Sequence, residues 1–541
     1  MLTPFYRHCR FTYGDPAGRN VTRLPETLYY NLLLMLRNLL FLFAAAAAWA
    51  QAPPDSSKPA TSPAKDEKTE KKPPEEKTSQ TKHTIQIGGR EIKYTATAGT
   101  MLLKKEDGTP TASIFYVAYM KDDVPDVTRR PLTFAFNGGP GSSSVWLQMG
   151  ALGPKRVMMD PEGNALPPPY RLVDNEYSIL DLTDLVFIDP VSTGFSRAIP
   201  EKDAKDFHGI EGDTESVANF IRLFTTRQAR WTSPKFLAGE SYGTTRASNL
   251  SGYLQQRQGF ALNGIMLLSA VLNFETISFD RGNDLPYILF LPTYTATAWY
   301  HKKLPPDLMA SQEKALRESQ QFATHEYSLA LMKGDTVTPE ERAEVSQKLA
   351  RLTGLSQKFV DESNLRVPIS RFTKELLHDE RRTVGRYDSR LEGIDFDPTS
   401  SRPDYDPSYA SVQAPFTAAW NQYVRTELKW ESDLPYEILT GRVQPWSWDD
   451  FDNRYVNVSE SLRSAMTQNR SLRVFVANGH YDLATPFFAT EYTFDHLGLD
   501  PTLRNHVSMD FFEAGHMMYT YKPALERLKA DLARFIQTAA P

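Results

Sequence analysis

The stretch Phe236-Leu237-Ala238-Gly239-Glu240-Ser241-Tyr242-Gly243 constrains this chain more than any other. Phe236 to Ala238 reads as the end of a buried strand, and Thr244 to Leu250 can continue as a helix. Between them stands an instance of G-x-S-x-G. A serine on a strand-to-helix turn is held in a strained backbone conformation, with its hydroxyl projecting at the carboxyl edge of a sheet. Small residues two before and two after it let strand and helix approach closely enough for so tight a turn. The adjacent helix N-terminus favours negative charge developing there. Three fixed positions also occur in ordinary glycine turns, so the rest of the chain must decide between nucleophile and turn.

The flanking segments build a frame for it. Thr84-Ile85-Gln86-Ile87 alternates as a half-buried strand and Ala112 to Tyr119 is a second β-rich segment, together predicting an antiparallel edge meander. Pro131 to Phe136 is a buried strand running into Asn137-Gly138-Gly139-Pro140-Gly141-Ser142-Ser143-Ser144, a fixed loop whose backbone N–H groups are open to a ligand. Asp184 to Asp189, Gly264 to Ser269, Leu472 to Ala477 and Val507 to Phe512 are further strands. Glu215 to Thr226 is an amphipathic helix, and Ala524 to Ile536 closes the chain as another. Strands alternating with helices imply a mostly parallel, doubly wound α/β sheet. Between 279 and 432 no buried strand is readable, and Thr338-Pro339-Glu340-Glu341 is a capping box opening a helix with Val345, Leu349 and Leu352 on one stripe. That segment is far longer than a connection needs and reads as a mainly helical lid insertion. The core is then 83–278 and 433–541.

The ends are of a different kind. Met35-Leu36-Arg37-Asn38, the apolar run Leu39 to Ala48, and an A-x-A site at Ala48 or Ala50 describe a secretory signal peptide. Translation is expected to begin at Met35, so 1–52 comprises an over-extended start plus the signal. Arg37 and Asn38 interrupt the apolar stretch that a membrane anchor would need. The only cysteine of the 541 residues, Cys9, falls in the segment expected to be absent, so cysteine catalysis and thiolate metal sites are excluded. Residues 53–82 are Pro, Lys, Glu, Ser and Thr with almost nothing apolar, the composition of a disordered tether. A net charge of -5 gives no reason to expect nucleic acid or an anionic membrane as partner.

A serine hydroxyl is a weak nucleophile until a base takes its proton and a carboxylate fixes that base. On a sheet of this kind the partners follow in the order Ser, acid, His. The last two strands each end in such a residue: Asn478-Gly479-His480-Tyr481-Asp482 and Glu513-Ala514-Gly515-His516. Asp482 and His516 are therefore the expected acid and base. His480 precedes the acid, the wrong order, and reads as a loop residue.

With these segments in place the sequence resembles the serine carboxypeptidases, peptidase family S10. The resemblance lies in Asn-Gly-Gly-Pro-Gly-x-Ser-Ser from Asn137, Gly-Glu-Ser-Tyr-Gly from Gly239, Asn-Gly-x-x-Asp from Asn478 and Gly-His-Met from Gly515. Pro-Val-x-Thr-Gly-Phe-Ser from Pro190 matches as well. It runs from about Ile114 to the C-terminus and is weakest in the lid. It implies an α/β-hydrolase fold with Ser241 as nucleophile, Asp482 as acid and His516 as base. It also implies an oxyanion hole from the backbone N–H groups of Gly139 and Tyr242, and a grip on the substrate's terminal carboxylate by Asn137, Gly138 and Glu240. Glu240 can join that grip only when protonated, because two carboxylates at hydrogen-bond distance repel. Acid-favoured removal of C-terminal residues from peptides is the implied activity, with no cofactor and no metal. Three departures stand out: Ser142 where a cysteine is common, Ala151 where many members have a second acid, and Gly-His-Met-Met-Tyr where Gly-His-Met-Val-Pro is common. An esterase or acyltransferase with the same triad, or an inactive binding protein, are the alternatives. Residue preference and oligomeric state are not readable.

Overall fold

The computed structural model describes residues 75–540. The expected start, the signal peptide, Cys9 and the tether as far as residue 74 lie outside them. Among the described residues no helix is long and apolar enough to cross a membrane.

A ten-stranded sheet carries the fold. β1 (Thr78–Ile87), β2 (Arg90–Lys104) and β3 (Pro110–Lys121) form an antiparallel meander. The β1–β2 hairpin turns on Gly88 and Gly89 at φ 57° and 74°, the two positive values that a tight two-residue turn requires. β3 pairs antiparallel with β5 (Asp184–Ile188). From there β4 (Leu132–Phe136), β6 (Lys235–Ser241), β7 (Gly264–Ala270), β8 (Arg473–Gly479) and β9 (Val507–Phe512) continue in parallel. The order is β1-β2-β3-β5-β4-β6-β7-β8-β9, with the two-residue strand Arg197–Ala198 beside β3.

Alternation assigns each central strand to two cores. Phe134, Val186, Leu237, Leu267 and Val476 face a cluster built with α1 (Ile210–Arg227), α2 (Tyr242–Gln258) and α3 (Ser459–Gln468). Ala135, Phe187, Phe236, Met266 and Phe475 face the other, where α4 (Lys522–Ala539) supplies Leu528, Leu532 and Phe535. Burial on both faces explains why these strands read as unbroken apolar runs.

Two boundaries differ from the sequence reading. Thr78–Lys82, assigned above to the tether, pair with Thr95–Gly99 as the start of β1. An edge strand is held by its backbone ladder, and it needs no apolar run to form. The helical insertion likewise ends early. Residues from Phe290 to Val384 share an apolar cluster of their own, reached from the core by Leu483. Helix Pro407–Thr426 instead lays Val412, Phe416, Trp420 and Tyr423 on the sheet. The insertion also holds the short strand pair Arg382–Val384 and Glu392–Ile394. The capping box at Thr338 forms, and Val345, Leu349 and Leu352 are buried beneath it.

Candidate active site

Ser241 ends β6 and precedes α2 with φ 60° and ψ -132°, a region that non-glycine residues avoid. The elbow is enforced by close approach. A Cβ on Gly239 would lie 2.2 Å from the Gly243 carbonyl oxygen, and one on Gly243 would lie 2.7 Å from that of Phe136. A Cβ on Gly138 would sit 2.4 Å from Tyr242 N. The Asn137–Gly139 loop is therefore pressed against the start of α2. Arg246, one turn into α2 and 2% exposed, ties the two together, donating to the Asn137 carbonyl at 2.6 Å and pairing with buried Asp213 at 2.7 Å.

His516 follows β9 and Asp482 follows β8, and the parallel pairing of these strands delivers both to the same sheet edge. His516 Nδ1 lies 2.7 Å from Asp482 Oδ2. Asp482 is fully buried, and its Oδ1 accepts the backbone N–H groups of Ala484 and Thr485 at 2.8 and 2.9 Å. The Thr485 hydroxyl donates to Oδ2 at 2.7 Å. A carboxylate so occupied is an acceptor, which puts the imidazole proton on Nδ1 and leaves Nε2 free to accept. Burial pulls the His516 pKa down, but the charge of Asp482 and its hydrogen bond outweigh this, and Glu240 adds to the rise.

Ser241, His516, Glu240, Asn137, Gly138 and Gly139 line one cavity of about 160 Å³, with Tyr242 also in its wall. Asp482 stands behind His516, out of the cavity. Among the described residues Ser241 Oγ has no hydrogen-bond partner, and Ser241 and His516 both stand in the cavity wall. Tyr242 is the first residue of α2, where an N–H has no acceptor within the helix. Asn137 Oδ1 accepts from Leu147 N, in the short helix Val145–Leu147, at 3.0 Å, which leaves its NH₂ as the donor. Glu240 is 3% exposed and takes a hydrogen bond from the Tyr519 hydroxyl at 2.6 Å. Its pKa is pushed up to about 7, first by burial and then by Asp482, against the opposing pull of His516, Tyr519 and Asn137.

Three neighbours were not readable as parts of a site. Tyr387 sits with its ring 5.1 Å from the His516 ring, and Arg386 lines the same cavity. Both come from the insertion, where no motif marks them. Thr485 follows the acid by three residues, and a hydroxyl at that spacing was the one available signal. His480 binds Glu513 Oε1 through Nδ1 at 2.7 Å and takes no part in the cavity wall. Among the described residues no group of three or more His, Cys, Asp or Glu could hold a metal ion.

Comparison with known proteins agrees with this architecture. The yeast (Saccharomyces cerevisiae) structure described as Kex1(Δ)p, a prohormone-processing carboxypeptidase, superposes with a TM-score of 0.52 at 16% identity, covering 82% of this chain and 91% of that one. The α/β-hydrolase fold expected from the motifs is the one adopted. In sequence, serine carboxypeptidase-like 34 of Arabidopsis thaliana is 27% identical over 257 residues, or 45% of this chain. Serine carboxypeptidase-like 36 of the same plant is 24% identical over 385 residues, 70% of this chain and 67% of the relative. The first of these alignments spans 46% of that relative, so this chain matches less than half its length. The family model described as serine carboxypeptidase covers residues 95–522, from within β2 to the first residue of α4, and on that extent the chain belongs to the serine carboxypeptidase family.

Proposed function

We propose that this protein is a serine carboxypeptidase, releasing single residues from peptides with a free C-terminus through an acyl-enzyme on Ser241. Ser241 Oγ passes its proton to His516 Nε2 as it attacks the scissile carbonyl. Asp482 holds the imidazole in orientation and stabilises the imidazolium. The tetrahedral oxyanion falls to the N–H groups of Gly139 and Tyr242. The imidazolium returns its proton to the leaving amine, and water then hydrolyses the ester by the same route. Asn137, Gly138 N–H and neutral Glu240 take the terminal carboxylate.

The observation that carries this reading is the carboxyl of Glu240, buried beside the nucleophile and held near neutrality. A hydrolase of internal bonds has no use for such a group next to its serine. A carboxypeptidase needs a donor there, since a neutral carboxyl can hydrogen-bond a carboxylate that an ionised one would repel. His516 and Glu240 each perturb the other, so they titrate as a coupled pair. The kcat/KM profile is bell-shaped, rising as His516, raised above its ordinary value, loses its proton and falling as Glu240 loses its own at about 7, so the two limbs stand close together. Glu240→Gln keeps a donor that cannot ionise, so it flattens the falling limb. The test compares a blocked dipeptide with its C-terminal amide across pH, for wild type and Glu240→Gln. Equal turnover of acid and amide at every pH removes the carboxypeptidase reading and leaves an esterase or acyltransferase with the same triad.

Export to the periplasm or the extracellular space belongs to the same proposal. Its support is the basic start and apolar run before Ala48, together with serine chemistry that needs no reduced thiol. Mass spectrometry of the exported chain should find a mature N-terminus between Trp49 and Pro53; one beginning before Ala48 sinks the idea.

A further inference from the structure

A neutral carboxyl has two oxygens and one proton, and it can offer that proton to a ligand from only one of them. What decides which oxygen carries it is visible beside Glu240. The Tyr519 hydroxyl donates to Glu240 Oε2 at 2.6 Å, with the two residues 2% and 3% exposed. An oxygen that accepts a phenol proton serves as the carbonyl end of the acid, which leaves the carboxyl proton to Oε1.

The phenol is fixed from behind. Its ring lies against bare backbone at Gly150, where a Cβ would be 2.3 Å from Tyr519 Cε2 and 2.6 Å from Cδ2. From the front, Met518–Thr520 form a single turn two residues beyond His516, so one loop carries both the imidazole and this donor. Burial and the neighbouring Glu240 charge raise the tyrosine pKa well above its ordinary value, so the phenol stays protonated throughout the working range.

We propose that Tyr519 is a positioning residue for recognition of the substrate's terminal carboxylate: its hydroxyl holds Glu240 Oε2 and commits the Glu240 proton to Oε1. This rests on the reading of Glu240 given above and says which group sets its proton and its pH range.

The charged and titratable groups facing Glu240 come from three elements. His516 and Asp482 stand on the loops after β9 and β8, Tyr519 stands just beyond His516, and Arg386 and Tyr387 reach in from the insertion. Asn137 is the neutral neighbour on the glycine-rich loop. Of these, Tyr519 makes the short hydrogen bond to Glu240 Oε2, at 2.6 Å, and its pull on the carboxyl exceeds that of the Asn137 side-chain hydrogen bond. A donor to a carboxyl favours the ionised form over the neutral one. Its removal therefore has two effects of different sign. Glu240 stays neutral to higher pH, and its proton is no longer confined to one oxygen.

The experiment uses Tyr519→Phe, which keeps the ring on Gly150 and deletes one oxygen. On a blocked dipeptide acid the falling limb of kcat/KM moves up by about one pH unit, the difference between a hydrogen bond to a charged and to a neutral acceptor. At pH 5 KM rises about twofold, as the proton divides between two oxygens. The corresponding amide, which has no carboxylate to meet, shows no such displacement of its limb. Gly150→Ala, which displaces the ring while leaving the phenol in the chain, moves the limb of the acid in the same direction. A Tyr519→Phe limb that coincides with wild type overturns the proposal, and so does an equal shift for acid and amide, which would point to His516. Failure of the Glu240 reading looks different, because wild type itself would then treat acid and amide alike.

Discussion

Asp482 and His516 show how a residue's role is set by what surrounds it. Asp482 accepts two backbone N–H groups, one hydroxyl and one imidazole, so its charge is fully engaged without any water. Replacing it by Asn keeps the volume but reverses one end of the amide, which favours the wrong imidazole tautomer. Asp482→Asn should cost on the order of 10⁴ in kcat, by the tautomer argument worked out for trypsin. Ser241→Ala should remove turnover with the fold intact, since it deletes one half-buried oxygen and no core volume. Near-normal rates for Asp482→Asn, measured on any turned-over substrate, would show that another carboxylate orients His516. The residues brought to this edge were legible because each ends a strand and each sits in a short motif. Tyr519 was legible only as a departure in the Gly-His-Met motif, because a phenol's partner is a matter of distance and no periodicity records it. Tyr387 and Arg386 had no signal at all: they reach the cavity from an insertion whose docking depends on tertiary contacts.

At the scale of elements, the sequence was most readable where one kind of burial repeats along a segment. β4, β5, β6, β7 and β8 are apolar on both faces, and no other element type fits five to seven such residues between turn signals. β2 was missed because its inward positions Ala96 and Ala98 give little apolar contrast with the threonines between them, although Tyr94 and those threonines favour a strand. Its strand state comes from β1 and β3 on either side. The helix Pro407–Thr426 was placed in the insertion for a related reason. An amphipathic stripe announces that a helix has a buried face and says nothing of which core will cover it. Here Trp420 meets Phe115 of β3 edge-on at 6.5 Å between ring centroids, and Phe416 meets Trp146, in the helical turn after the glycine-rich loop, tilted at 5.1 Å. The elbow was the best-determined element because its two glycines are required by backbone contacts that no other residue could make.

Over the whole molecule, burial has left several carboxyls that prefer to be neutral, and this bears on the conditions under which the fold is most stable. Asp189 after β5, Glu240 in the site and Glu491 on the helix Phe487–Asp495 are all raised to about 7, in each case chiefly by burial. A carboxyl raised in the folded state binds its proton there while the unfolded chain has released it. Its contribution is fully present below the unfolded value near 4 and is lost as pH rises through 7. His516, also raised, works in the same direction. Two other sets work differently. Surface carboxylates such as Asp307 beside Arg351 and Glu380 beside Lys303 are lowered, so their contribution is lost only as pH falls below about 4. His83, His208 and His301 are lowered by burial and so favour folding while neutral, an advantage that fades below about pH 6.5 as the unfolded chain takes up protons. Between pH 8 and 6.5 only the raised groups act, and Tm should climb as pH falls across that window. Below 6.5 the histidines offset the carboxyls and the curve should flatten. Asp189→Asn, which cannot ionise, isolates one contributor away from the catalytic cavity. Calorimetry from pH 5 to 8 should show the variant with a shallower slope between 6.5 and 8 than wild type. A variant curve parallel to wild type throughout that window would mean that Asp189 is ionised in the folded protein, and that the acid preference of the fold is set elsewhere.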